Sequence, residues 1–291
     1  MANHRELGRD VLKRGIYRTV EKIHSPTITG ENRMAAELGC RLGQIEQMIR
    51  YAYWNSGCTG IVIGVSGGVD SAVAAAFCCR AIGPEKVLGL FLPSAISNLK
   101  DGKDAALLCA RLGMEHRVVS IEPMLEGFRN MAGYTESRYL TGNIMARIRM
   151  AVVYFHANLD HRLVCGTSNR SEYMLGYCTK FGDNAADVQP LLHLYKDEVY
   201  EAARELKIPD PILKKAPSAG LWEGQSDERE IGLSYAEIDT SLRALELHQW
   251  QATTPTEEKV LALVKKSEHK RLPAPNLLAT LQKDPCILPG N

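Results

Sequence analysis

Ile61-Val62-Ile63-Gly64-Val65-Ser66-Gly67-Gly68-Val69-Asp70-Ser71-Ala72 is the stretch on which the reading of this chain turns. A short apolar run rich in β-branched residues predicts a buried strand, Ser-Gly-Gly predicts a tight turn, and the helix formers from Ala72 to Ala81 predict a helix. Glycines at 67 and 68 permit positive φ and a close approach of ligand to backbone, while the first turn of the following helix offers unpaired N–H groups. Such a turn suits phosphate. No Gly-Lys-Ser/Thr closes it, so it is not a Walker loop. Asp70 stands there instead, and an acid beside polyphosphate serves chiefly as a magnesium ligand. The same residues also suit a plain strand-to-helix turn in which Asp70 and Ser71 complement the helix dipole, and the stretch by itself leaves both readings open.

Outward from this stretch, Lys86 to Leu92 predicts a second strand ending at Pro93, Ala105 to Leu112 a helix, and His116 to Ile121 a third strand. Strands alternating with helices predict a parallel sheet covered on both faces, with ligands above the carboxyl ends of the strands. Residues 142 to 159 open with Gly142 to Met150, where Arg147 and Arg149, two apart, cannot share one helix face; one is free to point at a ligand while the other makes a structural contact. Arg162 to Cys165 predicts a fourth strand, running into Gly166-Thr167-Ser168-Asn169-Arg170-Ser171-Glu172 and an apolar helix from Tyr173. This second strand, polar turn and helix places Thr167 and Glu172 at a strand's carboxyl end, although Glu172 alone reads as a helix-start acid. Lys180 to Asp187 is a polar loop with two acids, Lys196 opens a helix, and Ala216 to Asp227 is a Gly- and Pro-punctuated loop long enough for a lid or binding loop.

Toward the ends of the chain the signals are helical. Met34, Leu38, Leu42, Ile45, Met48 and Ile49 predict a helix packed on the sheet, and Leu7, Val11, Leu12 and Ile16 a shorter one. Ser234-Tyr235-Ala236-Glu237 and Thr254-Pro255-Thr256-Glu257 both match the capping box. The basic run Lys265 to Arg271 is expected to be a solvated helix end.

Composition excludes several classes. The 291 residues are 45% hydrophobic and 24% charged, an ordinary globular balance with room for a sizeable core. A net charge of +1 creates no global field for nucleic acid, so an anionic ligand must be held by locally placed Lys and Arg. No apolar run is long enough for a bilayer and Met1 to Val20 lacks the apolar core of a signal peptide, which implies a cytoplasmic protein. Eight cysteines without a CxxC pair imply reduced, core-filling thiols.

Ser66-Gly67-Gly68-Val69-Asp70-Ser71 resembles the SGGxDS loop of the ATP pyrophosphatases, enzymes that split ATP between its α and β phosphates. Together with Gly142 to Met150, Gly166 to Glu172 and Lys180 to Asp187, Lys196 through Pro217-Ser218-Ala219-Gly220-Leu221-Trp222, and Glu268-His269-Lys270, it resembles the ammonia-dependent NAD synthetase family, in order and over nearly all of residues 34 to 272. The resemblance implies an α/β fold, a Rossmann-like three-layer α/β/α arrangement with a parallel sheet of the adenine nucleotide α-hydrolase kind, carrying helical N- and C-terminal additions. Residues 1–30 would be an extension and 31–291 a single domain. It implies that Gly64, Val65, Ser66, Gly67, Gly68, Val69, Asp70 and Ser71 hold ATP together with Thr167, Lys196 and Ser218. Asp70 and Glu172 would ligate Mg2+, with Lys196 the third catalytic residue, and Arg147, Lys180, Asp187, His269 and Lys270 would bind deamido-NAD. The partners implied are these small molecules and ammonia, with no nucleic acid and no membrane, in a homodimer with the dinucleotide at the subunit interface.

The implied chemistry accounts for the residue types. A carboxylate is a poor electrophile, so ATP must first convert it to an acyl-adenylate, which ammonia then attacks with loss of AMP. That requires neutralised triphosphate charge more than a base. Another ATP pyrophosphatase, amidating a nucleobase or thiolating tRNA, would share residues 64–71 without matching 142–218, and a tRNA enzyme would favour a more basic surface. A non-catalytic nucleotide-binding module would keep the glycines while losing Asp70, Glu172 or Lys196. Where relatives commonly carry two glycines, this chain has Asn184-Ala185, which raises the question of whether the position needs positive φ or a close ligand.

Overall fold

The computed structural model describes residues 30–222 and 224–274. The helix expected over residues 7–16 and Cys286 lie outside the described residues. The chain divides into two compact units, residues 1–40 and 41–291, and the scaffold of the site belongs to the second.

Four strands form one parallel sheet, β1 (Gly60–Gly64), β2 (Val87–Phe91), β3 (Glu115–Val118) and β4 (Arg162–Cys165), in the order β3-β2-β1-β4. Ile63 pairs with Gly89 on one side and Cys165 on the other, so β1 is interior and buried from Gly60 to Ile63, as its β-branched run predicts. Edge strand β3 is half exposed. The chain moves outward from β1 through β2 to β3 and then crosses back to β4. The helices α2 (Val69–Ile82) and α3 (Leu99–Leu112) pack together on one face, and α4 (Glu122–Arg129) with α5 (Arg138–Leu159) on the other. The reversal leaves a crevice between the carboxyl ends of β1 and β4, where ligands bind in open α/β sheets.

Helix α2 is buried at every position except Asp70 and Arg80, and a helix apolar on all sides must be covered on all sides. Four alanines, at 72 and 74–76, let β1, β2, α3 and α7 (Lys196–Glu205) close around it. On the opposite face Val62, Leu88, Leu90 and Val164 of the sheet pack against Leu125 of α4 and Met145, Ile148 and Val152 of α5. A second core, of Leu175, Tyr195, Tyr235, Ile238, Leu242, Val260 and Val264, joins α6 (Arg170–Leu175) to α10 (Tyr235–Leu247) and α11 (Pro255–Lys266). The three-layer fold and its C-terminal helical addition follow from these two cores.

The helix α1 (Gly30–Ser56) buries Leu42, Ile45 and Ile49, but Met48 is exposed. Its Arg50 Nε caps the Ala81 carbonyl at the end of α2 (2.9 Å), and Glu46 pairs with Arg80 (2.9 Å). Ser234 caps α10 with the full box expected; at Thr254 the box is broken, because the Glu257 carboxylate takes the N–H of Thr253 instead (2.7 Å). The basic run after α11 is not simply solvated. Arg271 donates to the carbonyls of Met174 (2.7 Å) and Val264 (2.6 Å), and Lys270 to those of Gly176 and Cys178 (2.7 Å each), so these cations satisfy the carboxyl ends of α6 and α11. Cys58, Cys78, Cys79, Cys109, Cys165 and Cys178 are free, and burial pushes Cys79 up to about 12 and Cys109 to about 11, keeping them as thiols. Among the described residues no helix is long and apolar enough to cross a membrane.

Candidate functional site

Two strand-turn-helix units meet in the crevice. After β1, Gly67 adopts φ +78° and a Cβ there would stand 2.5 Å from the Asp101 carbonyl oxygen, so both conformation and space require glycine. Ser71 closes the turn by donating to the Gly68 carbonyl (2.9 Å) and accepting from the Ser66 N–H (3.2 Å). Gly68, the N-cap of α2, brings no capping side chain, leaving the N–H groups of Val69, Asp70 and Ser71 without intrahelical partners above β1. After β4, Asn169 caps α6: it accepts from the Glu172 N–H (2.9 Å), while its own N–H faces Glu172 Oε2 (3.5 Å).

Glu172 is therefore the helix-start acid its position suggests, and more. Its other oxygen, Oε1, meets Lys196 Nζ at 3.1 Å, and the same ammonium lies 2.6 Å from Asp70 Oδ2. Lys196 opens α7 and its side chain is only 3% exposed. The remaining Asp70 oxygen accepts from Asn169 Nδ2 at 2.8 Å, tying the two turns together. Burial pushes the Glu172 carboxyl up to about 7 against the pull of Lys196, with Asp70 adding to the rise. Burial also opposes the charge on Lys196, but Asp70 and Glu172 together outweigh it and hold the ammonium protonated well above its usual range.

A layer of polar contacts fixes this trio. The Lys196 N–H donates to Ser171 Oγ (3.0 Å), Ser171 donates to Asp239, and Asp239 also accepts from the Asp197 N–H (3.0 Å). Tyr235 reaches Glu172 Oε1 (3.4 Å) and Asp227 Oδ2 (3.2 Å), with its ring 4.9 Å from Lys196 Nζ. Asp227 opens α9 (Asp227–Ile231) and further accepts from Tyr177 (3.1 Å) and the Ala219 N–H (2.9 Å). Sequence reasoning missed Asn169, Tyr235, Asp227 and Asp239. Asn169 alone carried a local signal, an Asn three residues before a Glu at a helix start; the others act across the fold.

The remaining expected site residues fall into two places. Thr167 is half-buried between β4 and α6, and Ser218 is exposed in the 216–226 loop, accepting from the Gly220 N–H (3.2 Å). Arg147 Nη2 donates to the Lys180 carbonyl (3.2 Å), Lys180 Nζ donates to the His269 carbonyl, and Asn184 Nδ2 reaches the Lys270 carbonyl (3.5 Å), so the 179–187 loop and the Glu268–Lys270 turn form one patch. Arg149 is the structural partner of the arginine pair, donating to the Leu92 carbonyl at 3.0 Å. Asp187 is committed to the scaffold: it accepts from the Val164 N–H (2.7 Å) and Tyr154 (3.2 Å). Neither Asn184 nor Ala185 has positive φ; the left-handed residue of this loop is Phe181, at φ 59°, whose N–H is held by Asn184 Oδ1 (2.8 Å). The alanine therefore incurs no backbone penalty.

Asp70 and Glu172 present hard oxygen donors converging on one cation, a set that suits a divalent ion. Among the described residues no group of three or more His, Cys, Asp or Glu side chains gathers around a metal position. Two carboxylates fit magnesium, which characteristically takes one or two and completes its shell with water and substrate phosphates.

Comparison with known proteins bears on what this arrangement does. The family model for NAD synthase matches residues 42–274. The NH(3)-dependent NAD(+) synthetase of Methanoregula boonei is 71% identical over 246 residues, 84% of this chain and 99% of the relative. Among solved structures, NMN synthetase from Francisella tularensis aligns with a TM-score of 0.75 at 38% identity, covering 82% of this chain and 98% of that one. NH3-dependent NAD synthetase from Campylobacter jejuni aligns at 0.71 and 33%, covering 82% and 99%.

Proposed function

This chain belongs to the NAD synthase family, and on that premise we propose that it joins ammonia to the carboxylate of deamido-NAD, consuming ATP and releasing NAD, AMP and pyrophosphate through an acyl-adenylate. The observation that carries the reading is the convergence of Asp70 and Glu172 on Lys196 beside a glycine turn at the point where the strand order reverses. The turn from Gly64 to Ser71 holds the triphosphate, with its N–H groups and the start of α2 directed at the β and γ phosphates. Thr167 and Ser218 contact the same nucleotide. Asp70 and Glu172 hold Mg2+, which when bound neutralises phosphate charge. Lys196 keeps the two carboxylates together in the free protein and supplies positive charge as charge develops on the departing pyrophosphate. The nicotinate-bearing substrate lies on the Arg147, Lys180, His269 and Lys270 patch, with Asp187 shaping it from below. Ammonia needs no protein nucleophile, in keeping with cysteines held as thiols.

The test is one assay. Purified protein with ATP, Mg2+, deamido-NAD and an ammonium salt is expected to yield NAD with AMP and pyrophosphate in equal amounts. At fixed total ammonium the rate should climb on the alkaline side of neutrality, because ammonium must lose its proton to attack. ADP with phosphate, or equal activity with glutamine, would overturn the reading. The likeness to an NMN synthetase names the competing acceptor, the corresponding mononucleotide, and the same assay run with it decides between the two.

The proposed assembly is a cytoplasmic homodimer. Met131 and, on α5, Leu140, Phe155 and Leu159 are exposed apolar side chains that a second copy would cover. The free cysteines among the described residues suit a reducing compartment. A monomeric mass by light scattering would remove the dimer.

A further inference from the structure

Lys215 stands two residues beyond α8 (Asp210–Leu213), and none of the roles above uses it. Its ammonium donates to the Gly67 carbonyl at 2.7 Å and to Asp101 Oδ1 at 2.8 Å, and pairs with Asp104 Oδ2 at 2.7 Å. Two of its N–H groups are thereby hydrogen-bonded, and the contact with Asp104 is an ion pair. Both acids lie on α3, and the Asp104 side chain is 7% exposed. Lys215 thus joins three segments, the glycine turn, α3 and the start of the 216–226 loop, over a sequence separation of 148 residues from Gly67.

The peptide between Gly67 and Gly68 is flanked by glycine on both sides, so side-chain sterics do not oppose its rotation. In a trans peptide the carbonyl and the N–H point in opposite directions. With the Gly67 carbonyl held by Lys215, the Gly68 N–H is turned the opposite way and donates to Ser66 Oγ within the turn (3.2 Å). A flipped peptide would turn the carbonyl oxygen, the negative end of the dipole, toward phosphate. The chain then continues from Lys215 into Pro217-Ser218 and a loop fastened elsewhere by the Ala219 N–H on Asp227 (2.9 Å) and by Trp222 edge-on to Tyr139 (5.8 Å).

We propose that Lys215 is a positioning residue for ATP: it selects the Gly67–Gly68 peptide orientation in which the carbonyl is held on its ammonium and kept from turning toward the polyphosphate, and couples that orientation to the 216–226 loop. The proposal rests on the reading of residues 64–71 as the ATP turn. Lys215→Met is compared with Lys215→Arg and with Asp104→Asn/Lys215→Met, in which the more buried of the two carboxylates that would be stranded is also neutralised. Loss of one charge-assisted hydrogen bond should raise the KM for ATP about tenfold in both Met variants. The KM for deamido-NAD should stay unchanged, and Lys215→Arg should recover most of the ATP affinity. In substrate-free protein the Gly68 amide NMR signal should broaden or split in the Met variants and remain single in wild type and Lys215→Arg. That signal needs no substrate, so it judges Lys215 even if wild type makes no NAD, which would instead refute the functional reading. A folded Asp104→Asn/Lys215→Met protein with a single Gly68 signal and wild-type KM for ATP would overturn the proposal.

Discussion

Asp70→Asn and Glu172→Gln are each expected to lower turnover by about 10²- to 10³-fold with the fold intact, the range seen when one preorganised electrostatic contact is removed from a transition state. Each substitution keeps the shape of the side chain and removes its charge. The structural partners can persist: Asn169 Nδ2 can still donate to the remaining oxygen at position 70, and the cap on α6 still has an acceptor at position 172. What changes is affinity for a cation between them, so the defect should deepen as magnesium is lowered. Turnover measured across a magnesium series, with circular dichroism as the check on folding, decides the matter. A variant that kept near-normal turnover at limiting magnesium would show that its carboxylate is no metal ligand.

Lys196→Met should be the most destabilising single change at the site, by about 3–5 kcal/mol, because it strands buried carboxylates without a counter-charge. The Lys196 side chain is 3% exposed, and those of Asp70 and Glu172 are 19% and 17% exposed, so water screens the pair only weakly. Adding Glu172→Gln should restore part of that stability while leaving turnover abolished. Urea unfolding of wild type, Lys196→Met and Glu172→Gln/Lys196→Met gives the comparison. If the double variant were no more stable than Lys196→Met, the loss would come from the packing of the lysine stem and not from the stranded charge.

Both expectations depend on residues that the sequence made legible to different degrees. The strand, turn and helix around Gly67-Gly68 needed only local information: β-branched residues fit a buried strand, glycine is the residue free to take φ +78°, and a run of small helix formers follows. The alternation of strands and helices likewise predicted a parallel sheet, and motif order pointed to the family. These features act over a few residues, through backbone sterics and side-chain periodicity, and so they are written in the sequence.

Tertiary structure alone decided which side chains meet. Asp70 and Lys196 are 126 residues apart, Asp70 and Asn169 are 99, and Lys215 and Gly67 are 148, distances at which spacing carries no geometric information. The order β3-β2-β1-β4 brings the two turns side by side, and the helical addition then supplies Tyr235, Asp227 and Asp239 to hold them. The same limit explains the basic run at 265–271. Its composition suggested a solvated end, but the carboxyl ends of α6 and α11 leave carbonyls that need donors, and Lys270 and Arg271 are the cations the fold delivers there. A chain's local preferences settle its elements; the unmet hydrogen bonds and charges left when those elements pack settle which distant residues become partners.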